Sequence, residues 1–403
     1  MRNNLVFLCL FILIFPVFAS ITPSSDSILD NESEIQSSIS SNIISQPNGV
    51  NWEIEAGPFN SASGDFYIAK TGQIGSLGNS NIDSYFITND DLGNTFLLLT
   101  AWKGGNQVLN ITKINDSVIE REEFIVSTSL HSLSVDISPN GTLWIAGLTS
   151  SSSGCSTCVV KVFTYSKSFG LTEIFSHYTG YSKEANEVNL QLRDSNTAII
   201  TWIERSGGTI NLIPYIVRID GTYDTHNGNP WYLASEYNKG NPNMVKDEFG
   251  NIWICRHTGS SSSYSNRALS LMKIDNSWDG TGQIPFTELV APKPNVSFFG
   301  EYCSISASNS KIISISTGHD INGDSSNDDI VFSIFDSINQ TWQSYSPFAS
   351  TAQFTERGPR SIDINSHGEQ FIIWYGGENN AKYSSTYLNF FDDDNQWSKT
   401  MIH

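Results

Sequence analysis

The sequence predicts an all-β fold, a β-propeller of six four-stranded blades. Three observations lead there. No window carries a sustained 3.6-residue apolar period, so long helices are not expected. Short apolar strands recur between polar, Gly-bearing turns. The recurrence has a period of 48 to 60 residues, which is the length of a propeller blade.

Six copies of one event define the blades: an alternating strand, a polar turn, and a strongly apolar strand. The clearest copies turn at Ser138-Pro-Asn-Gly141 into Leu143-Trp-Ile-Ala146, at Asp247-Glu-Phe-Gly250 into Ile252-Trp-Ile-Cys255, and at Ser366-His-Gly368 into Phe371-Ile-Ile-Trp374. Weaker copies turn at Asp91-Leu-Gly93, Asp194-Ser-Asn196 and Ser308-Asn-Ser310. Gly and Asn at these places supply the positive φ that tight hairpins need. The strand after each turn is apolar on both faces, as befits a sheet sandwiched between neighbours. Trp52–Glu55 and Phe66–Ala69 are strand-like runs ahead of the first clear copy. They either complete the last blade or form part of a seventh, and residues 50–82 leave both readings open.

The domain plan is simple. Residues 1–19 read as a secretory signal peptide: Arg2 supplies the positive region, Leu5 to Phe18 the apolar run, and Val17-Phe18-Ala19 the cleavage site. Residues 20–48 hold no aromatic and read as a disordered linker. Residues 49–403 form the propeller. The apolar run is too short for a good membrane span, so the expectation is a secreted or surface-displayed monomer with no transmembrane segment. With 41 acidic against 22 basic residues the formal charge is −19, which disfavours nucleic acid as a partner.

Export permits disulfides, and four cysteines remain in the mature chain. Cys155 and Cys158 fit a small loop disulfide. Cys255 and Cys303 fall on strands of successive blades, close enough to bridge.

Phe335-Asp-Ser-Ile-Asn-Gln-Thr-Trp342 and Phe390-Phe-Asp-Asp-Asp-Asn-Gln-Trp397 carry Asp in a turn and Trp opening the next strand. They resemble, in degenerate form, the Asp-box of sialidase-like propellers; Thr341 and Trp342 match, while Asn339 stands for Gly and Ser337 for Asp. In such propellers ligands bind the face made by second-to-third-strand loops and inter-blade connections. That rule collects Arg205, Arg256, His257, Trp374 and Arg360 as ligand-binding residues, with Glu204, Glu184, Glu301, Tyr302 and Arg357 nearby. Arginines pair bidentately with carboxylates, as an acidic sugar would require. No nucleophile elbow, zinc-protease motif or phosphate loop is present. The expectation is therefore a non-enzymatic extracellular module that binds a protein or glycan. The alternative is a sialidase-like exo-glycosidase acting on acidic sugars.

Asp320, Asn322, Asp324 and Asp328 follow the 1, 3, 5, 9 spacing of a calcium loop. The run resembles the calcium loop of FG-GAP propeller repeats, with Ser325 in place of Gly, and Ile330 to Ile334 supplies the apolar strand that follows. The resemblance implies a structural Ca²⁺ that pins this loop, against the alternative of a solvated acidic loop.

Overall fold

Each repeat folds as an antiparallel meander, in which every strand pairs with its neighbours in chain order. The computed structural model describes residues from Trp52 to Met401. Residues 1–51, 60–65, 72–81, 150–157, 180–183, 226–230, 234–242, 259–267, 293–298, 320–327, 346–353, 379–384 and 392–396 lie outside that description, as do some shorter turns. The predicted signal peptide and linker fall within the first of these intervals.

Strands β1 (Trp52–Phe59) and β2 (Phe66–Thr71) form a two-stranded sheet. The first four-stranded sheet runs β3 (Ile82–Asn89), β4 (Thr95–Lys103), β5 (Asn106–Ile114) and β6 (Ile119–Val126). The second runs β7 (Leu130–Ile137), β8 (Leu143–Thr149), β9 (Val159–Ser166) and β10 (Gly170–Tyr178). The third runs β11 (Glu184–Asp194), β12 (Thr197–Ser206), β13 (Thr209–Arg218) and β14 (Tyr223–Thr225), and short β15 (Trp231–Leu233) also pairs with β13. The fourth comprises β16 (Asn243–Lys246), β17 (Ile252–Thr258), β18 (Ala268–Ile274) and β19 (Thr287–Val290). The fifth comprises β20 (Phe299–Ser308), β21 (Lys311–His319), β22 (Asp328–Asp336) and β23 (Thr341–Tyr345). The sixth comprises β24 (Phe354–Ile364), β25 (Gln370–Glu378), β26 (Ser385–Phe391) and β27 (Trp397–Met401).

The first strand of each sheet packs against the first strand of the next, from β3 through β7, β11, β16 and β20 to β24. This arrangement is that of a β-propeller, with the first strands as its inner wall. Among the described residues, five apolar cores fill the five successive gaps between the six sheets. Alternation along the second strand explains them. Trp144, Ala146 and Leu148 of β8 face the third sheet, whereas Leu143 and Ile145 face the first. The outer face of the first sheet is buried as well, through Leu97, Leu99, Ala101 and Val108, as in a sheet covered on both sides.

Polar residues on the inner strands have a structural use that their alternation with apolar ones conceals. Ser134 Oγ accepts the Leu190 amide at 2.9 Å, and Asp136 Oδ2 accepts the Leu192 amide at 2.7 Å. Ser306 Oγ donates to Asp363 Oδ1 at 2.8 Å, and Ser84 Oγ accepts the Leu133 amide at 3.3 Å. Adjacent inner strands are thus clasped by side chains where no β-ladder joins them. Cys255 and Cys303, with Cα atoms 6.1 Å apart, are joined by a disulfide across the fourth and fifth sheets. Cys158 is also disulfide-bonded, and Cys155 lies outside the described residues. Among the described residues no helix is long and apolar enough to cross a membrane.

Candidate functional site

Among the described residues, the acidic side chains at the two ends of the propeller make different contacts. At one end lie the tight turns between first and second strands and between third and fourth. There the aspartates close turns. Asp247 Oδ1 accepts the Phe249 and Asn251 amides at 3.0 and 2.8 Å, while Oδ2 accepts Asn251 Nδ2 and the Trp253 indole N–H, both at 2.8 Å. Asp90 repeats the pattern with Leu92 and Asn94. Asp194, Asp220, Asp275, Asp279 and Asp336 each accept a backbone amide two residues on, at 2.9 to 3.0 Å. Hydrogen bonds to the charged form hold the Asp275 carboxyl down at about 2, those of Ser277 contributing most, and lower Asp220, Asp279 and Asp336 for the same reason. These carboxylates are already engaged by their own backbone. The turn at Asp336 works the same way: Asp336 also accepts the Asn339 amide at 2.8 Å, and Phe335 packs on Trp342 with ring centres 5.0 Å apart.

The other end carries the longer second-to-third-strand loops and the connections between sheets. Its described margin holds a buried carboxylate. Glu204, near the end of β12, is 5% exposed, and its Oε1 accepts the Trp202 indole N–H at 3.1 Å. Strand alternation puts Trp202 and Glu204 on one face, toward the second sheet. Around Trp202 stand Tyr215 and His177, with ring centres 4.9 and 5.5 Å from it, and the Tyr215 hydroxyl lies 3.4 Å from the His177 ring nitrogens. Burial, reinforced by the negative charge of Glu204, pushes the Tyr215 hydroxyl up to about 12. Sequence reasoning placed Glu204 at this rim but missed its aromatic surroundings; the Trp-x-Glu alternation was the available signal.

The predicted ligand residues are distributed as follows. Arg256, 8% exposed, reaches outward across β18 to Glu288 of β19, at 2.7 Å. Its guanidinium is therefore turned away from the inner strands and held by a partner that sequence reasoning did not foresee. Arg205 and His257 lie on β12 and β17, Arg360 on β24 and Trp374 on β25; their side chains lie outside the described residues. The calcium-loop residues Asp320, Asn322 and Asp324, and the side chain of Asp328, also lie outside the described residues. Among the described residues no three His, Cys, Asp or Glu side chains are grouped to hold a metal ion.

No protein-family model matches the sequence, and a search of curated proteins finds no match. Among solved structures, an α-L-arabinofuranosidase from Fusarium graminearum is similar, with 11% identity, a TM-score of 0.44, and coverage of 80% of this chain and 95% of that one. An exo-β-1,3-galactanase from Phanerochaete chrysosporium aligns at 10% identity and a TM-score of 0.39, covering 69% of this chain and 64% of that one. An acylaminoacyl peptidase from Pyrococcus horikoshii aligns at 11% identity and a TM-score of 0.45, covering 80% of this chain and 46% of that one. Likeness at this level transfers no catalytic residue. It does correct one expectation: the non-enzymatic binding module finds no counterpart in these three, which are hydrolases, two of them glycosidases.

Proposed function

We propose that the protein is a glycoside hydrolase acting at the loop-rich end of its propeller, with Glu204 as one of its two working carboxylates. The observation that carries this reading is the asymmetry between the ends. Described aspartates of the short-turn end are committed to backbone amides. Glu204, at the other end, is buried and accepts an indole N–H. Glycosidases of the common kind need two carboxyl groups flanking the scissile bond, one to protonate the leaving oxygen and one to act as nucleophile or base. Glu184 and Glu301 begin or lie in first strands at the same end by their place in the chain, and supply candidates for the second role. Trp202 and Tyr215, 0% and 8% exposed in the core between the second and third sheets, pack with His177 behind the Glu204 carboxylate and hold it in place.

The test is hydrolysis of a panel of chromogenic glycosides: α-L-arabinofuranoside, β-D-galactoside, β-D-xyloside and α-sialoside. At least one should be turned over, and Glu204→Gln should lower kcat by about a hundredfold or more without lowering the melting temperature. Turnover confined to the sialoside would place the substrate among acidic sugars. A panel left uncleaved, or a Glu204→Gln variant as active as the native protein, would overturn the reading.

A further inference from the structure

A groove lies at the short-turn end, in the cleft between the first and second sheets. It encloses about 90 Å³. Its floor is apolar: Phe96 of β4 and Ile111 of β5 are 6% and 2% exposed, and the half-buried ring of Tyr165 of β9 closes one side. Its rim is charged and balanced, with Glu120 and Glu122 on one face of β6, Lys113 on β5, and Lys167 after β9. Gly141 completes the wall with φ +80 and no atom within 4 Å of where a Cβ would stand, so the mouth there is open.

The pattern of contacts says what these charges are not for. The Lys167–Glu120 pair, at 2.8 Å, joins two side chains that are 73% and 44% exposed, an arrangement that adds little to stability. Lys113 Nζ stands 5.9 Å from the centre of the Phe96 ring. The Tyr165 hydroxyl bonds to Glu122, and burial with that carboxylate nearby pushes it up to about 12, so it stays a donor at all physiological pH. The groove thus presents acceptors, donors and an apolar floor within one small volume, with no net charge.

We infer that this groove is a non-catalytic subsite for one residue of a neutral polysaccharide. Two carboxylates against two ammonium groups give no preference for an anion or a cation. A sugar ring has an apolar face for Phe96 and Tyr165, and an edge of hydroxyls that donate to Glu120 and Glu122 and accept from Lys113 and Lys167. The site lies at the end away from Glu204, so it would hold a polymer chain and not the bond that is cut. This inference rests on the glycosidase reading for its substrate class.

Affinity electrophoresis through gels containing soluble arabinan, galactan or xylan tests it, beside hydrolysis of the chromogenic panel. The native protein should be retarded by at least one polymer. Glu122→Gln combined with Tyr165→Phe, which leaves the apolar floor in place, should weaken that retardation about tenfold or more while hydrolysis of small glycosides is unchanged. Native protein that runs unretarded in all three gels, or a double variant retarded like the native protein, would overturn the groove whatever the enzyme assay shows. Retardation lost in the double variant, with no glycoside cleaved by the native protein, would support the groove and overturn the enzyme reading alone.

Discussion

Replacing Asp247 with Asn measures how much stability one turn carboxylate supplies. The native side chain is 4% exposed and accepts four hydrogen bonds, two on each oxygen. Asparagine keeps one acceptor oxygen for the turn amides and presents an NH₂ group to two donors, Asn251 Nδ2 and the Trp253 indole. Two bonds to a charged acceptor disappear, and at about 1.5–3 kcal/mol each the expected cost is about 3–6 kcal/mol. Asp90 provides the internal control. It closes the same turn, but Phe96 stands where the other turn has Trp253, so Asp90→Asn loses only the Asn94 Nδ2 bond, worth about 1.5–3 kcal/mol. Ser138 provides the converse case. The Trp144 indole N–H, six residues on, is buried without a partner among the described residues. Ser138→Asp recreates the arrangement that Asp247 has with Trp253 and should stabilise by about 1 kcal/mol. Urea unfolding followed by tryptophan fluorescence gives all three values. An Asp247→Asn cost no greater than that of Asp90→Asn would refute the reasoning, because the indole bond would then carry nothing.

Arg193 stacks on Trp278 at 5.7 Å and donates to the Asp279 carbonyl at 3.1 Å, so Arg193→Ala should cost about 2 kcal/mol; Gly280→Ala, whose Cβ would meet Arg193 Nη1 at 2.7 Å, should be less than additive with it in urea unfolding. Replacing Cys255 and Cys303 together with Ala opens a loop of 48 residues, and chain entropy predicts a loss of about 4 kcal/mol, read as a lower urea midpoint. Acid should weaken the fold through the turn aspartates. Their folded pKa values are lowered, Asp275 to about 2, so the stability they contribute is complete above the ordinary Asp range near 3.8 and is lost as pH falls toward 2; Asp275→Asn should flatten the melting-temperature profile in that window. The calcium loop proposed from Asp320, Asn322, Asp324 and Asp328 predicts a lower melting temperature in EDTA, restored by Ca²⁺, and an unchanged melt would remove the ion from the account.

The blades were legible because their signal is periodic and local. Gly93, Gly141, Gly250 and Gly368 all adopt φ between +80 and +88, as tight turns require. The apolar runs after them became β4, β8, β17 and β25. Where the sequence offered no glycine, the turn at 308–310 instead forced Asn309 and Ser310 to positive φ, at 51 and 62. Residues at the inter-sheet gaps were harder to read, since contacts such as Ser134 with Leu190 join positions 56 residues apart. Nothing local marks Ser134 as a clasp; only its strand position, repeated in the neighbouring blade, does so.

The site was less legible than the fold for a related reason. Scarcity of arginine drew attention to Arg205, Arg256 and Arg360, yet scarcity says nothing about where a long side chain goes. Arg256 shows the difficulty: it sits on the expected strand end, and still turns outward to Glu288 on the last strand of its own sheet. Glutamate on a short lever is more predictable. Glu204 follows Trp202 by two residues, so the pleat alone puts the carboxylate beside the indole, where the structure has them 3.1 Å apart. Pairs set by strand alternation can be read from sequence, whereas pairs set by rotamers of four-bond side chains cannot. On that ground the placement of Glu204, more than that of any of the arginines, was open to reading from strand alternation, and its substitution is the one that tests the proposed activity.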